Sequence, residues 1–126
     1  MTPLELLDLT IQDKVKGIWF GEEKNSEFKR WFSNGQLHTH CFYKDGKYEG
    51  EYKTWYDNGQ LYAHCFYKND KREGEYKQWH DNGQLYIHRF YKKDGKLNGE
   101  YKSWHKKGKL SFHCFYKDDK LIKKIL

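Results

Sequence analysis

EYKTWYDNGQLYAHCFYKNDKREG runs from Glu51 to Gly74, and EYKQWHDNGQLYIHRFYKKDGKLNG follows at once from Glu75 to Gly99. Two further versions flank the pair: EFKRWFSNGQLHTHCFYKDGKYEG from Glu27 to Gly50, and EYKSWHKKGKLSFHCFYKDDKLIK from Glu100 to Lys123. The period is 24 residues, with one extra residue in the third copy around Lys92-Lys93-Asp94-Gly95. Self-similarity at a short fixed period marks an array in which each unit buries its apolar surface only against its neighbours. The chain therefore divides into an N-terminal segment over 1–26, repeats over 27–50, 51–74, 75–99 and 100–123, and a tail over 124–126.

Each copy reads as two strands and two turns. In the second, Glu51-Tyr52-Lys53-Thr54-Trp55-Tyr56 is followed by Asp57-Asn58-Gly59-Gln60 and then by Leu61-Tyr62-Ala63-His64-Cys65-Phe66-Tyr67. Asn-Gly between aromatic runs is a strong hairpin signal, because a type I′ turn needs positive φ at both central residues. Asn34-Gly35, Asn58-Gly59 and Asn82-Gly83 fit that expectation, and Lys107-Gly108 fits it less well. The second connection uses Asp45-Gly46, Asn69-Asp70, Asp94-Gly95 and Asp118-Asp119, residues that also tolerate left-handed backbone. The expected fold is all-β: a single-layer, twisted antiparallel meander of eight strands, on the order of 40 Å wide at ~4.8 Å per strand.

The motif Gly50-Glu51-Tyr52…Trp55-Tyr56-Asp57-Asn58-Gly59-Gln60-Leu61…Tyr67, repeated four times in register, resembles the MORN (membrane occupation and recognition nexus) repeat family. The form it is most similar to is the variant often labelled antitoxin-like. The resemblance covers residues 27–123 and implies a β-hairpin array used as a scaffold or binding module.

The N-terminal segment supplies a cap. Thr2-Pro3-Leu4-Glu5 reads as a helix start, with Thr as N-cap, Pro at the first helical position and Glu three residues after the cap. Leu4, Leu7 and Ile11 share a face of that short helix, and Gly17-Ile18-Trp19-Phe20 reads as a leading strand. Leu121 to Leu126 is expected to close the far end or to pair with a neighbour.

Composition is 19% aromatic and 33% charged, so the low mean hydropathy of −1.17 describes a thin aromatic fold with a charged surface. Disordered chains are poor in aromatics. The net charge of +6 is unevenly spread, with −2 over 1–26, +1 over 27–74 and +7 over 75–126. Lys92, Lys93, Lys106, Lys107, Lys123 and Lys124 form a candidate basic patch at the C-terminal end. The three cysteines recur at one repeat position and do not form a disulfide framework, which, with no secretory signal evident, suggests an intracellular location.

Strand alternation sorts the side chains. A two-residue turn pairs Tyr56 with Leu61, Thr54 with Ala63 and Tyr52 with Cys65, placing Tyr52, Tyr56, Leu61, Ala63, Cys65 and Tyr67 on one face. The other face then carries Glu51, Lys53, Trp55, Tyr62, His64 and Phe66. A three-residue loop would instead put Trp55 with Leu61 and Cys65, since a one-residue slip flips a strand's side chains. Either face of a single layer is aromatic, and an exposed aromatic surface marks an interaction site.

The candidate binding face is accordingly Trp31, Trp55, Trp79 and Trp104 with His40, His64, His88 and His113 and Phe42, Phe66, Phe90 and Phe115. Its expected use is contact with another protein or self-association into a homo-oligomer. Nucleic acid stacked on the Trp row, with the C-terminal lysines on phosphates, is the alternative, and an anionic membrane surface comes third.

Neighbouring His and Cys of one copy point to opposite faces, and equivalent residues of successive copies lie on the order of 9–10 Å apart. Zinc needs its ligands at ~2.0–2.3 Å from one centre, so neither metal nor Cys41–Cys65 disulfide is expected. Almost every polar residue has near-equivalents at the repeat spacing, which does not suit the unique constellation of an active site. No enzymatic activity, cofactor or small-molecule substrate is expected. Arg89, in the cysteine column, is hard to bury unpaired and points to an open position in the third copy.

Overall fold

A computed structural model of the chain describes residues 10–22 and 24–126. A helix α1 (Ile11–Lys16) leads into strands β1 (Ile18–Phe20), β2 (Glu27–Trp31), β3 (Leu37–Lys44), β4 (Lys47–Trp55) and β5 (Leu61–Lys68). Then come β6 (Lys71–Arg72), β7 (Gly74–Trp79), β8 (Leu85–Tyr91), β9 (Gly99–Trp104), β10 (Leu110–Lys117) and β11 (Lys120–Lys124). All eleven belong to one open antiparallel sheet in chain order, with β6 pairing β5 beside the main path. The expected meander and its leading strand, β1, are present, with two more strands: β11 and the short β6.

The helix begins later than the sequence suggests. The Thr2 start, with Leu4 and Leu7, lies outside the described residues. Within them, Thr10 caps α1: its Oγ1 accepts from the Asp13 N–H (3.1 Å), and the Asp13 carboxylate accepts in turn from the Thr10 N–H. Ile11 faces solvent rather than the sheet. The helix lies beside β2, and Trp19 of β1 packs on the first hairpin, its ring 4.7 Å from Phe28 and 4.8 Å from Tyr43.

The Asn-Gly turns are not type I′. Tyr56 N–H donates to Gln60 O (2.9 Å) and Gly59 N–H donates to Tyr56 O (3.1 Å), which closes a three-residue loop with Gly59 at φ 90°. Asn58 is not among the positive-φ residues. The same loop occurs at Phe32–Gln36, His80–Gln84 and His105–Lys109. A type I turn followed by a left-handed glycine is the usual form of a three-residue hairpin loop. In this loop the Asn58 side chain bridges two copies. Its Oδ1 accepts from Gln60 N (2.9 Å), and its Nδ2 donates to Asp81 O of the next copy (2.9 Å). Asn34 and Asn82 do the same toward Asp57 O and Lys106 O, both at 2.9 Å.

Type I′ turns sit at the opposite ends of the hairpins. Asp45-Gly46, Asn69-Asp70 and Asp118-Asp119 have positive φ at both positions, and Lys44, Lys68 and Lys117 pair directly with Lys47, Lys71 and Lys120. The third copy differs because its extra residue makes a three-residue loop, with Lys92 N–H on Lys96 O and Gly95 N–H on Lys92 O.

Register in the body of each hairpin is the expected one, with Thr54 opposite Ala63 and Tyr52 opposite Cys65. Toward the Asn-Gly turn a bulge shifts it, so that Trp55 faces Leu61 and Tyr62 is the extra residue. His38, Tyr86 and Ser111 are extra in the other copies. The bulge corrects two placements. Tyr62 leaves the His face and meets Tyr56 (4.9 Å between rings) and Gln78, while Leu61 joins Trp55. The physical reason is the turn itself: a three-residue loop sets the strand ends one residue out of step with the body, and a bulge absorbs the difference.

Apart from Ile18 and Ser26, the best-buried side chains among the described residues are small and lie on the tyrosine face: Cys41, Cys65, Cys114, Ala63 and Thr39, joined by Tyr76. Around them the tyrosines pack ring on ring, as Tyr48 does with Tyr43 (4.8 Å), Tyr52 (5.3 Å) and Tyr67 (5.0 Å). Small residues at the strand centres let these rings lie inward over them.

Candidate aromatic interface

The opposite face carries a row repeated four times. His40, His64, His88 and His113 place Nε2 at 2.6, 2.9, 2.7 and 2.9 Å from Oε2 of Glu27, Glu51, Glu75 and Glu100. An ionised carboxylate only accepts, so Nε2 carries the proton in each pair. The hydrogen bond from histidine, opposed in part by burial, holds the carboxyls of Glu51, Glu75 and Glu100 below the ordinary value. Lys53, Lys77 and Lys102 stand 3.5–3.6 Å from the same three glutamates. Each imidazole also packs on the phenylalanine two residues on, at 5.1, 5.1, 4.9 and 5.6 Å for Phe42, Phe66, Phe90 and Phe115.

Alternation from Thr54 carries Trp55 to this side, and Trp31, Trp79 and Trp104 occupy the same register in their copies. The structure thus brings the sequence-predicted Trp, His and Phe rows to one face. Phe42 and Phe66 are 36% and 38% exposed there, far more than the cysteines behind them.

The candidate basic residues do not converge. Lys92 and Lys93 lie in the loop at one end of β9, and Lys106 and Lys107 in the loop at its other end. Lys92 is paired with Asp118 and Asp94, and Lys106 with Asp81 (2.7 Å). Lys123 and Lys124 sit on β11, where Lys124 Nζ lies 5.8 Å from the centre of the Phe112 ring. Among the described residues no group of three His, Cys, Asp or Glu side chains is placed to hold a metal ion. The cysteines are free and buried, and burial pushes the Cys41 thiol up to about 11.

On the tyrosine face, a cavity of ≈ 470 Å³ opens between the first two copies, lined by Arg30, Phe32, His38, Thr39, Tyr52 and Tyr62 among others. Sequence reasoning missed the glutamates as histidine partners, although their constant spacing of 13 residues from each histidine was a usable signal.

Four stretches of the chain, 24–45, 48–69, 72–93 and 97–118, match the model of the MORN repeat variant. The chain belongs to that family. The matched units start three residues before the boundaries read from the sequence, so the MORN phase places the Asp-Gly type of turn at the end of each unit. No curated protein matches the sequence. MORN repeats point to a repeat-based interaction module, and among the described residues no second layer covers the tandem hairpins.

Proposed function

We propose that this MORN array is a non-enzymatic scaffold that docks a protein, or a second copy of itself, on its Trp–His–Phe face. The observation that carries the reading is the fourfold row of histidine–phenylalanine pairs, closely similar in geometry and uncovered by any second layer among the described residues. Each glutamate–histidine bond fixes the imidazole, which holds the adjoining phenylalanine ring in a set orientation, so little side-chain freedom is lost on docking. Aromatic surface presented in this pre-ordered way is what interface cores are built from.

The test replaces the exposed rings. Phe42→Ser with Phe66→Ser is compared with the unaltered chain by light scattering over a wide concentration range and by crosslinking to captured proteins. Loss of a dimer, or of specific crosslinked partners, supports the reading. A monomer at every concentration whose partner set is unchanged by the substitutions ends it.

A further inference from the structure

The chain has three arginines, Arg30, Arg72 and Arg89, and all three lie on the tyrosine face. None of the ten ion pairs among the described residues uses an arginine; every one takes its cation from lysine or histidine. Arg72 and Arg89 are moreover together. Their guanidinium carbons lie 4.9 and 4.2 Å from the centre of the Tyr76 ring, and 5.7 and 5.5 Å from that of Tyr91. Arg89 also approaches Tyr101 (5.9 Å), and Arg72 donates to the Tyr91 hydroxyl (3.4 Å).

Two like charges sharing the same two rings repel one another. The tyrosine faces offset part of that, since a guanidinium is attracted to an aromatic quadrupole. Stacking leaves the in-plane N–H groups for hydrogen bonds: Arg72 uses one toward the Tyr91 hydroxyl, and Arg89 Nε is buried with no hydrogen-bond partner. Both residues break the repeat at this point. Position 89 is cysteine in the other three copies, and position 72 corresponds to Tyr48, Leu97 and Leu121. The inserted residue of the third copy falls in the next loop, whose backbone does not dock on Arg72 as the other turns dock on their neighbours.

We propose that Arg72 and Arg89 form a carboxylate-binding site for an acidic peptide segment of a partner protein, distinct from the Trp–His–Phe face. The planar guanidinium fork matches a carboxylate bidentately, and the Tyr91 hydroxyl beside Arg72 brings one further O–H to the site. A peptide suits the site better than a nucleic acid does. A strand carries a charge every ~3.4 Å and needs a continuous cationic track. This face instead offers one doubly charged point among neutral Tyr, Gln, Ile and Ala side chains, with Lys124 three strands from Arg89 on one side, about 14 Å, and Arg30 five strands away on the other, about 24 Å. The ligand is therefore one or two carboxylates flanked by uncharged residues, and the +7 excess over 75–126 steers it in.

The experiment selects from a random dodecapeptide library on the immobilised full chain, and then measures the selected peptides by fluorescence anisotropy. A 20-nucleotide oligothymidine is the competing probe. Arg89→Cys and Arg72→Leu are the variants, since both residue types already occupy these positions in other copies; thermal melts confirm folding. Selection should enrich adjacent Asp or Glu, and each substitution should weaken binding about five- to tenfold, the pair at least thirtyfold. Amidated Asn/Gln versions of the peptides should not bind, and Phe42→Ser/Phe66→Ser should bind as the unaltered chain does. No acidic enrichment, or acidic peptides held equally by the double variant, overturns the proposal. So does oligothymidine that binds more tightly than the peptides and is lost in the same variants.

Discussion

The two rows of turns along the edges of this sheet solve the same problem differently. On the Asn-Gly edge, each asparagine carboxamide ties its own loop and reaches a carbonyl of the next, and the chain of bonds runs unbroken through all the copies. On the other edge, an aspartate does the docking. Asp70 Oδ1 accepts from Tyr48 N (2.7 Å) while its N–H donates to Tyr48 O (3.1 Å), and Asp119 repeats the pattern with Leu97. One added residue interrupts this second row: the third loop bonds to itself, with Lys96 N–H on Asp94, and only packs against the Lys71 side chain. Docking through the turn backbone depends on turn length, which is why one added residue interrupts the second row.

The largest effect should come from breaking the Asn-Gly row at its glycine. Gly59 sits at φ 90° with the Gln36 carboxamide 3.2 Å from where a Cβ would lie. Gly59→Ala should cost about 1–3 kcal/mol, chiefly backbone strain, seen as a lower urea midpoint. Asn58→Ala leaves the loop conformation allowed but removes both of its bonds, and should cost about 1–2 kcal/mol in the same measurement. Lys107→Ala is the control, because no asparagine bridge exists there, and should stay within about 0.5 kcal/mol. Deleting Lys93 should convert the third loop to a two-residue turn, restore docking on Arg72 and raise stability by about 1 kcal/mol. No gain in the urea midpoint would show that loop length is not what breaks the row.

The smallest effect is electrostatic. Glu51, Glu75 and Glu100 ionise more readily folded than unfolded, so their bonds to histidine stabilise the fold above the ordinary glutamate value of 4.5. That contribution fades as pH falls through the lowered folded values. His64→Gln should therefore lower the urea midpoint slightly at about pH 6 and flatten its decline below the ordinary glutamate value. These pairs are half exposed, so solvent screening keeps the change small.

Much of the array was readable because repetition multiplies weak evidence. Four copies of one turn pair and one alternation leave few folds available, and the His, Phe and Trp rows follow from strand periodicity. Turn type was not readable in the same way. Asn-Gly is compatible with two loop geometries of different length, and the three-residue form recurs at Lys107-Gly108, where no asparagine bridge to another copy exists. The displacement of Tyr62 and Leu61 follows from that choice. The grouping of lysines by their closeness in sequence likewise failed, because a strand separates them.

What the amino-acid order determined alone is the local part: period, strands, turn positions and which residues recur in rows, since each depends on neighbours within one hairpin. Tertiary structure decided how hairpins bond to one another and that Arg72 and Arg89 meet over the same tyrosines. Those outcomes rest on contacts between copies, whose energies no single copy contains.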